Sequence, residues 1–221
     1  IFSSKNADTG LWAPTTFLQN FGANIYFLED FDPKKIPVLF VHGSVGSPQD
    51  WAHFLFRLDR TKYQPWFFYY PSGMRLPLIA GMLYEKLIAL KEKTGFTKMC
   101  LAAHSMGGLI TKAMLTGDYY RNNDSFVHLY ATFATPWSGF RSADTAVATS
   151  PKKLPVWIDM ASRSKFIQTQ LRKPLPETLD YFLFYGKEDG VSAGKAVDSR
   201  VYSGAEGHFS FDVNHQTILT D

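Results

Sequence analysis

Short apolar runs alternate with amphipathic stretches along most of this chain, and this alternation constrains the fold more than any other feature. The runs are rich in β-branched and aromatic residues and predict strands, whereas the stretches between them repeat apolar residues at helical spacing. Strands and helices in alternation predict an α/β fold with a mostly parallel central sheet and helices on both faces. The predicted strands are Asn24–Leu28, Val38–Val41, Trp66–Tyr70, Met99–Ala103, Val127–Phe133 and Tyr181–Tyr185.

The helical pattern is clearest in three stretches, and one long segment interrupts it. Pro48–Leu58, Leu78–Lys93 and Leu109–Leu115 each place apolar residues on one face. Phe140–Asp180 contains four prolines and is far longer than an ordinary connection between elements. We expect either a cap or lid over the end of the sheet, with a helix at Ser162–Leu171, or a ragged helical crossover between two strands.

Length and composition indicate one globular domain over residues 1–221, with 45% hydrophobic and 19% charged residues. The net charge of +3 comes from scattered basic residues, which argues against a nucleic-acid partner. A weak peripheral attraction to anionic membranes fits this charge, and so does an ordinary solvated surface. The single cysteine, Cys100, excludes an intrachain disulfide. Because the chain opens at Ile1 rather than Met, we expect a mature or trimmed product from which a leader is missing. The sequence does not fix the compartment, and the cell envelope or the exterior is favoured.

The segment Ala103–Gly108, Ala-His-Ser-Met-Gly-Gly, follows an apolar strand and precedes a helical pattern. A serine on a sharp strand-to-helix turn exposes its Oγ above the sheet as a nucleophile. The residues two places before and after it must be small to avoid collision, and Ala103 and Gly107 are small. The helix N-terminus that follows favours developing negative charge. We therefore predict that Ser105 is a nucleophile, rather than part of a plain glycine-rich helix start.

The segment Val41–Ser47, Val-His-Gly-Ser-Val-Gly-Ser, follows the second predicted strand. Its two glycines let the backbone bend and present N–H groups to a ligand. Such a loop supplies one half of an oxyanion hole and the residue after the nucleophile supplies the other, which predicts the amides of Ser44 and Met106 as donors. A phosphate-binding loop is the alternative, but its lysine is missing. We interpret His42 as a structural hydrogen-bonding residue.

The acid of a catalytic triad is expected after the nucleophile in chain order, with the histidine last. Asp189, in the loop after Tyr181–Tyr185, is the first choice. Glu188 is the nearest alternative and Asp198 is a third, and each of these carboxylates could instead be a solvated turn residue.

Two histidines, His208 and His215, follow the acid loop. If a helix spans Ser192–Tyr202 and a strand spans about Gly207–Asp212, His208 lies at the start of that strand. His215 then lies just past its end, with the other catalytic loops. If Arg200–Ser203 is the strand instead, His208 takes that place. Topology favours His215.

No metal site is expected, because the sequence has no His-x-x-x-His pair and no cysteine cluster. Cofactor fingerprints are absent as well, so the predicted chemistry needs no cofactor.

These segments together resemble the lipase and esterase branch of the α/β-hydrolases. Residues 103–108 resemble the nucleophile elbow of small bacterial lipases, and residues 41–43 resemble their oxyanion strand end. Residues 134–139, Ala-Thr-Pro-Trp-Ser-Gly, resemble the Gly-Thr-Pro-His-x-Gly loop of lipases and of the GPI inositol-deacylase group. Two positions depart from that pattern, with Ala134 in place of Gly and Trp137 in place of His.

The end of the chain resembles the same branch, in the histidine segment at 214–219 and the acid loop at 189–191. The resemblance supports His215 as the base and implies the α/β-hydrolase fold. It further implies a serine-dependent hydrolase of lipid or acyl esters that acts through an acyl-enzyme, with Trp137 bordering the acyl site. A thioesterase or amide-cleaving relative, and a non-catalytic binding protein on the same fold, remain alternatives.

Overall fold

The computed structural model describes residues 1–123, 125–191, 201 and 203–220. Within these residues the strands are β1 (Asn24–Phe27), β2 (Ile36–Val41), β3 (Tyr63–Tyr69), β4 (Met99–His104), β5 (Val127–Phe133), β6 (Asp180–Gly186) and β7 (Gly207–Phe211). They form one sheet in the spatial order β1-β3-β2-β4-β5-β6-β7. β1 pairs antiparallel with β3 at one edge, and every other neighbouring pair is parallel. The prediction of a mostly parallel sheet is therefore confirmed.

Helices connect these strands and also precede them. In the described part of the chain they are α1 (Ser4–Trp12), α2 (Pro14–Phe21), α3 (Ala52–Arg57), α4 (Leu76–Thr94), α5 (Met106–Leu115), α6 (Asp118–Asn123), α7 (Arg141–Thr149), α8 (Pro155–Met160) and α9 (Lys165–Arg172). The predicted helix Pro48–Leu58 begins as a 3-10 turn at Pro48–Trp51, and a capping box of Ser47 and Asp50 satisfies backbone donors at its start. α1 and α2 were not predicted, since both are short and bury few residues.

The sheet carries an apolar core on each face, because alternate side chains of a strand point to opposite sides. In β2, Leu39 and Val41 join the core formed with α4 and α5. Val38 and Phe40 join the core on the other face, which surrounds the fully buried Trp51. Covering both faces suits a parallel sheet, whose central strands read as continuous apolar runs.

The long segment between β5 and β6 folds into the three helices α7, α8 and α9. It is thus a helical crossover in topology. Phe140, Trp157 and Met160 of this segment line a cavity of about 710 Å³ at the carboxyl edge of the sheet. The topology is that of the crossover alternative, and a role as cap or lid stays a prediction.

The last strand, β7, corresponds to the strand predicted at about Gly207–Asp212. The helix predicted at Ser192–Tyr202 lies outside the described residues except for Val201. Two of the four residues of the alternative strand, Arg200–Ser203, lie outside them as well. Among the helices described above, none is long and apolar enough to cross a membrane.

Candidate active site

Ser105 lies on a sharp turn between β4 and α5, and its backbone conformation is strained. Its φ of 52° and ψ of −127° lie in a region that side-chain-bearing residues rarely adopt. The amide of Ser105 donates to the carbonyl of Phe133 at 2.8 Å, which holds the turn against the end of β5. A Cβ on Gly107 would lie 2.6 Å from the carbonyl oxygens of Val41 and His42. Gly107 therefore has to lack a side chain, because the backbone of Val41 and His42 lies directly against it.

His215 lies past the end of β7 and contacts Ser105. The distance from His215 Nε2 to Ser105 Oγ is 2.8 Å. The other ring nitrogen, Nδ1, lies 2.8 Å from Asp189 Oδ2. The structure thus brings the three side chains into one hydrogen-bonded series, with the imidazole between the hydroxyl and the carboxylate.

Asp189 lies in the turn after β6, and its side chain is only 5% exposed. Its second oxygen, Oδ1, accepts from the amide of Val191 at 2.9 Å, so both carboxylate oxygens have partners. Glu188 is exposed to solvent and does not line the cavity. Asp198, the third candidate, lies outside the described residues.

His208 lies at the opposite end of β7 from His215. It is the second residue of that strand and pairs with Leu183 of β6. Ser105 directly follows β4, at the carboxyl edge of the sheet. Parallel strands share that edge, so the residue after β7 reaches Ser105 and a residue near its start does not.

His42 and His104 are buried histidines that surround the site without joining the Ser105–His215–Asp189 series. Burial lowers the pKa of each to about 4, so both rings are neutral near pH 7. The His42 ring stacks on Tyr70, and its Nδ1 lies 2.8 Å from the carbonyl oxygen of Gly43. His104 Nε2 donates to the carbonyl oxygen of His215 at 2.9 Å. His42 thus matches the structural role expected for it, and His104 connects the strand that precedes Ser105 to the loop of His215.

The loop after β2 approaches Ser105 closely. A Cβ on Gly43 would lie 2.9 Å from the Cβ of Ser105, so a glycine is required there. The loop turns at Val45, whose amide donates to Ser72 Oγ at 3.2 Å and whose φ is positive at 55°. Ser44 lines the cavity beside Ser105. Met106 is the first residue of α5, where a backbone N–H has no acceptor within the helix.

A cavity of about 710 Å³ opens over Ser105. Of its lining residues seven are apolar, seven are polar or charged and two are glycine. They include residues of the N-terminal helix, the loop after β2, the β5–β6 segment and the C-terminal turn. The lining residues are Leu11, Gly43, Ser44, Val45, Gly46, Asp50, His104, Ser105, Phe140, Trp157, Met160, Val191, His215, Gln216, Leu219 and Thr220.

The position of Trp137 corrects one expectation. Trp137 is 1% exposed, packs in the core beneath the site and does not line this cavity. Lys112 lies 5.3 Å from its ring centroid. The neighbouring Thr135 packs against α5, where a Cβ on Gly108 would lie 2.0 Å from Thr135 Oγ1. The lipase-like segment 134–139 therefore supports the serine turn from behind and does not place Trp137 against a substrate.

Sequence reasoning missed the residues that wall the cavity. Trp157 lies in the long segment whose role stayed open, and Leu11 lies in a helix that was not predicted. The pattern Ser3-Ser4-Lys5-Asn6 was an available signal for α1, because the Ser3 side chain caps the Asn6 amide. No group of three or more potential metal ligands occurs in the described residues.

Comparison with known proteins is informative at the level of structure only. No family model and no curated protein matches the sequence. A lipase of Bacillus licheniformis in its mature form is 19% identical over 88% of this chain and 92% of its own, with a TM-score of 0.67. A gene product of Listeria innocua is 16% identical over 85% of this chain and 89% of its own, with a TM-score of 0.63. The thioesterase domain from the curacin biosynthetic pathway is 11% identical over 90% of this chain and 95% of its own, with a TM-score of 0.55.

At these identities the likeness shows the fold. The chain has the α/β-hydrolase fold, which is the fold that the resemblance of its sequence motifs implied.

Proposed function

We propose that this protein is a serine hydrolase that cleaves carboxylic esters through an acyl-enzyme. One observation carries the proposal, namely the series of Ser105, His215 and Asp189 with two hydrogen-bond distances of 2.8 Å. A nucleophile, a base in reach of its proton and a carboxylate that orients the base are the three parts that acyl transfer requires.

Each side chain has a role that follows from its neighbours. As Ser105 Oγ bonds to the ester carbonyl carbon, His215 Nε2 takes the hydroxyl proton. When the tetrahedral adduct collapses, the same nitrogen gives that proton to the leaving alcohol. Asp189 accepts from Nδ1–H throughout, which holds the ring in the reactive tautomer and stabilises its charged form. Water then repeats the cycle on the acyl-enzyme and releases the acid.

The developing oxyanion is proposed to bind to the amides of Ser44 and Met106. The first lies on the loop that closely approaches Ser105, and the second lies at the positive end of α5. The removal of one such donor costs about two to three decades of rate in serine hydrolases.

The substrate class follows from the cavity. Its walls include Leu11, Val45, Phe140, Trp157 and Leu219, which favour an ester with an apolar chain. We therefore propose lipid or acyl esters as substrates, with no cofactor.

A fluorescent phosphonate that labels active serines tests this function. The parent protein should be labelled and should hydrolyse short p-nitrophenyl esters. Ser105→Ala should stay folded and lose at least about three decades of rate. His215→Ala should lose labelling as well, because Ser105 loses its base, whereas the matched variant His208→Ala should keep it. The opposite behaviour of the two histidine variants, with thermal melts that show both folded, would reject this site.

A thioesterase is the second candidate, because the same three side chains act on any acyl carbonyl and a thioesterase domain shares the fold. Esters and thioesters of one acyl group separate the two functions. A kcat/KM that is higher for the oxygen ester supports the first proposal. A clear preference for the thioester would replace it. A protein that folds but shows neither turnover nor labelling would instead be a binding protein.

A further inference from the structure

One wall of the cavity is built by two helices that are distant in sequence. Leu11 of α1 and Trp157 and Met160 of α8 line the cavity that contains Ser105. Leu11 is 8% exposed, and Trp157 is half-buried. We call Leu11 and Trp157 the α1–α8 wall.

Two backbone hydrogen bonds of a single glycine, Gly73, link α1 to α8. The amide of Gly73 donates to the carbonyl of Gly10 at 2.9 Å, and the carbonyl of Gly73 accepts from the amide of Val156 at 3.3 Å. A Cβ on Gly73 would lie 2.0 Å from the carbonyl oxygen of Leu11. Only glycine permits this approach, so the two helices are held at one fixed separation.

Side chains hold the same junction from outside. Trp12 is 62% exposed and makes an edge-to-face contact with Trp157, with 5.8 Å between the ring centroids and an interplanar angle of 87°. This contact adds an aromatic link between α1 and α8.

An ion pair between the half-exposed Arg75 and the buried Asp159 links α8 to the start of α4. Arg75 donates to both oxygens of Asp159, from Nε at 2.8 Å and from an Nη at 2.7 Å. The amide of Leu76 adds a third bond to Asp159 at 2.8 Å. The Asp159 side chain is 2% exposed, and a displacement of α8 would leave this buried carboxylate without its donors. The cavity therefore has its shape before any ligand binds.

From these contacts we infer that the α1–α8 wall limits the length of the alkyl chain that an ester can place beside Ser105. Leu11 and Trp157 are the specificity-determining residues. The inference rests on the proposed function and adds a substrate limit to it. Since each buried methylene is worth about 0.8 kcal/mol, kcat/KM should rise up to about fourfold per methylene until the chain meets the wall, and fall beyond that length. The chain could belong to the acyl or to the alcohol part, and two series of esters distinguish them.

The test uses variants that move the wall in opposite directions. Trp157→Ala enlarges the cavity and should shift the best substrate to longer chains, and Trp157→Leu should shift it in the same direction if the alanine variant does not fold. Leu11→Phe adds bulk and should shift the best substrate to shorter chains. The parent's best substrate should then lose about tenfold in kcat/KM, the cost of overpacking. The matched control is Ile158→Ala, the next residue of α8, which is 43% exposed and does not line the cavity.

The outcomes separate this inference from the function on which it rests. Labelling by a small phosphonate should be equal in the parent and in Ile158→Ala, and in the wall variants it reports whether Ser105 is still reactive. Opposite shifts in one ester series, with an unshifted Ile158→Ala, support the wall and identify the part of the ester that meets it. A labelled, hydrolytic parent whose optimum does not move in either wall variant overturns the wall alone. A parent that is neither labelled nor hydrolytic overturns the function and the wall together.

Discussion

The buried histidines predict a loss of stability in mild acid. For His104 the folded pKa is about 4 and the ordinary value is 6.5. The unfolded chain therefore takes up a proton as the pH falls through 6.5, while the folded protein excludes it until about pH 4. The free energy of unfolding is thus highest above the ordinary pKa and falls with pH across this window. A separation of about 2.5 pKa units corresponds to about 3 kcal/mol for this single group.

Urea denaturation at a series of pH values measures this effect. Carboxyl groups also titrate in the lower part of the window, so the useful quantity is the difference between the parent and His104→Gln. Glutamine keeps a donor for the His215 carbonyl but does not titrate. The free energy of unfolding should fall across the window in both proteins. The fall should be about 3 kcal/mol smaller in His104→Gln than in the parent.

The matched control for this experiment is His128→Gln, because His128 is exposed on β5. It should behave as the parent does. If the parent and His104→Gln show the same pH dependence, His104 is not held neutral by burial and the reasoning fails. His42 has the same folded pKa of about 4, which burial lowers most and the charge of His104 lowers further. We therefore expect the effects of His42→Gln and His104→Gln on the free energy of unfolding to be non-additive.

Three further predictions follow from close contacts. Asp189→Asn should reduce kcat by about four decades, because the imidazole loses its correct tautomer, while Glu188→Gln should keep near-parental rates in the ester assay. Gly108→Ala should lower the free energy of unfolding by about 1–3 kcal/mol, because its Cβ would meet the Thr135 side chain at 2.0 Å. The control Gly81→Ala lies on the open side of α4 and should raise the free energy of unfolding by up to about 1 kcal/mol. Thermal melts compare the two glycine variants, and equal melting temperatures would contradict the contact. Asp159→Ala should cost about 1.5–3 kcal/mol in chemical denaturation, because the carboxylate loses charge-assisted hydrogen bonds from the half-exposed Arg75 and from the amide of Leu76. An unchanged midpoint would show that these bonds do not hold α8.

Much of the fold could be predicted because its signals are local. The apolar runs lie within three residues of the observed strand ends from β1 to β6. For the central strands the reason is that a strand buried on both faces must be apolar along its length. The turn around Ser105 could be recognised because its strained backbone permits only small residues nearby. Those small residues lie within two positions of Ser105 in the sequence. The order of serine, acid and histidine along the chain, with parallel strands that end at one edge, was enough to favour His215 over His208.

The tertiary structure alone decided what surrounds that turn. Trp137 lies next to a lipase-like motif in sequence, yet it is buried in the core, because its direction depends on how the chain leaves β5 and packs on α5. The contact of His104 with the His215 carbonyl joins residues 111 positions apart, and no local pattern encodes it. Leu11 and Trp157 reach one cavity only because Gly73 lets two helices approach. Residues adjacent in sequence determined the turn around Ser105. Packing between distant segments determined the shape of the cavity above that turn.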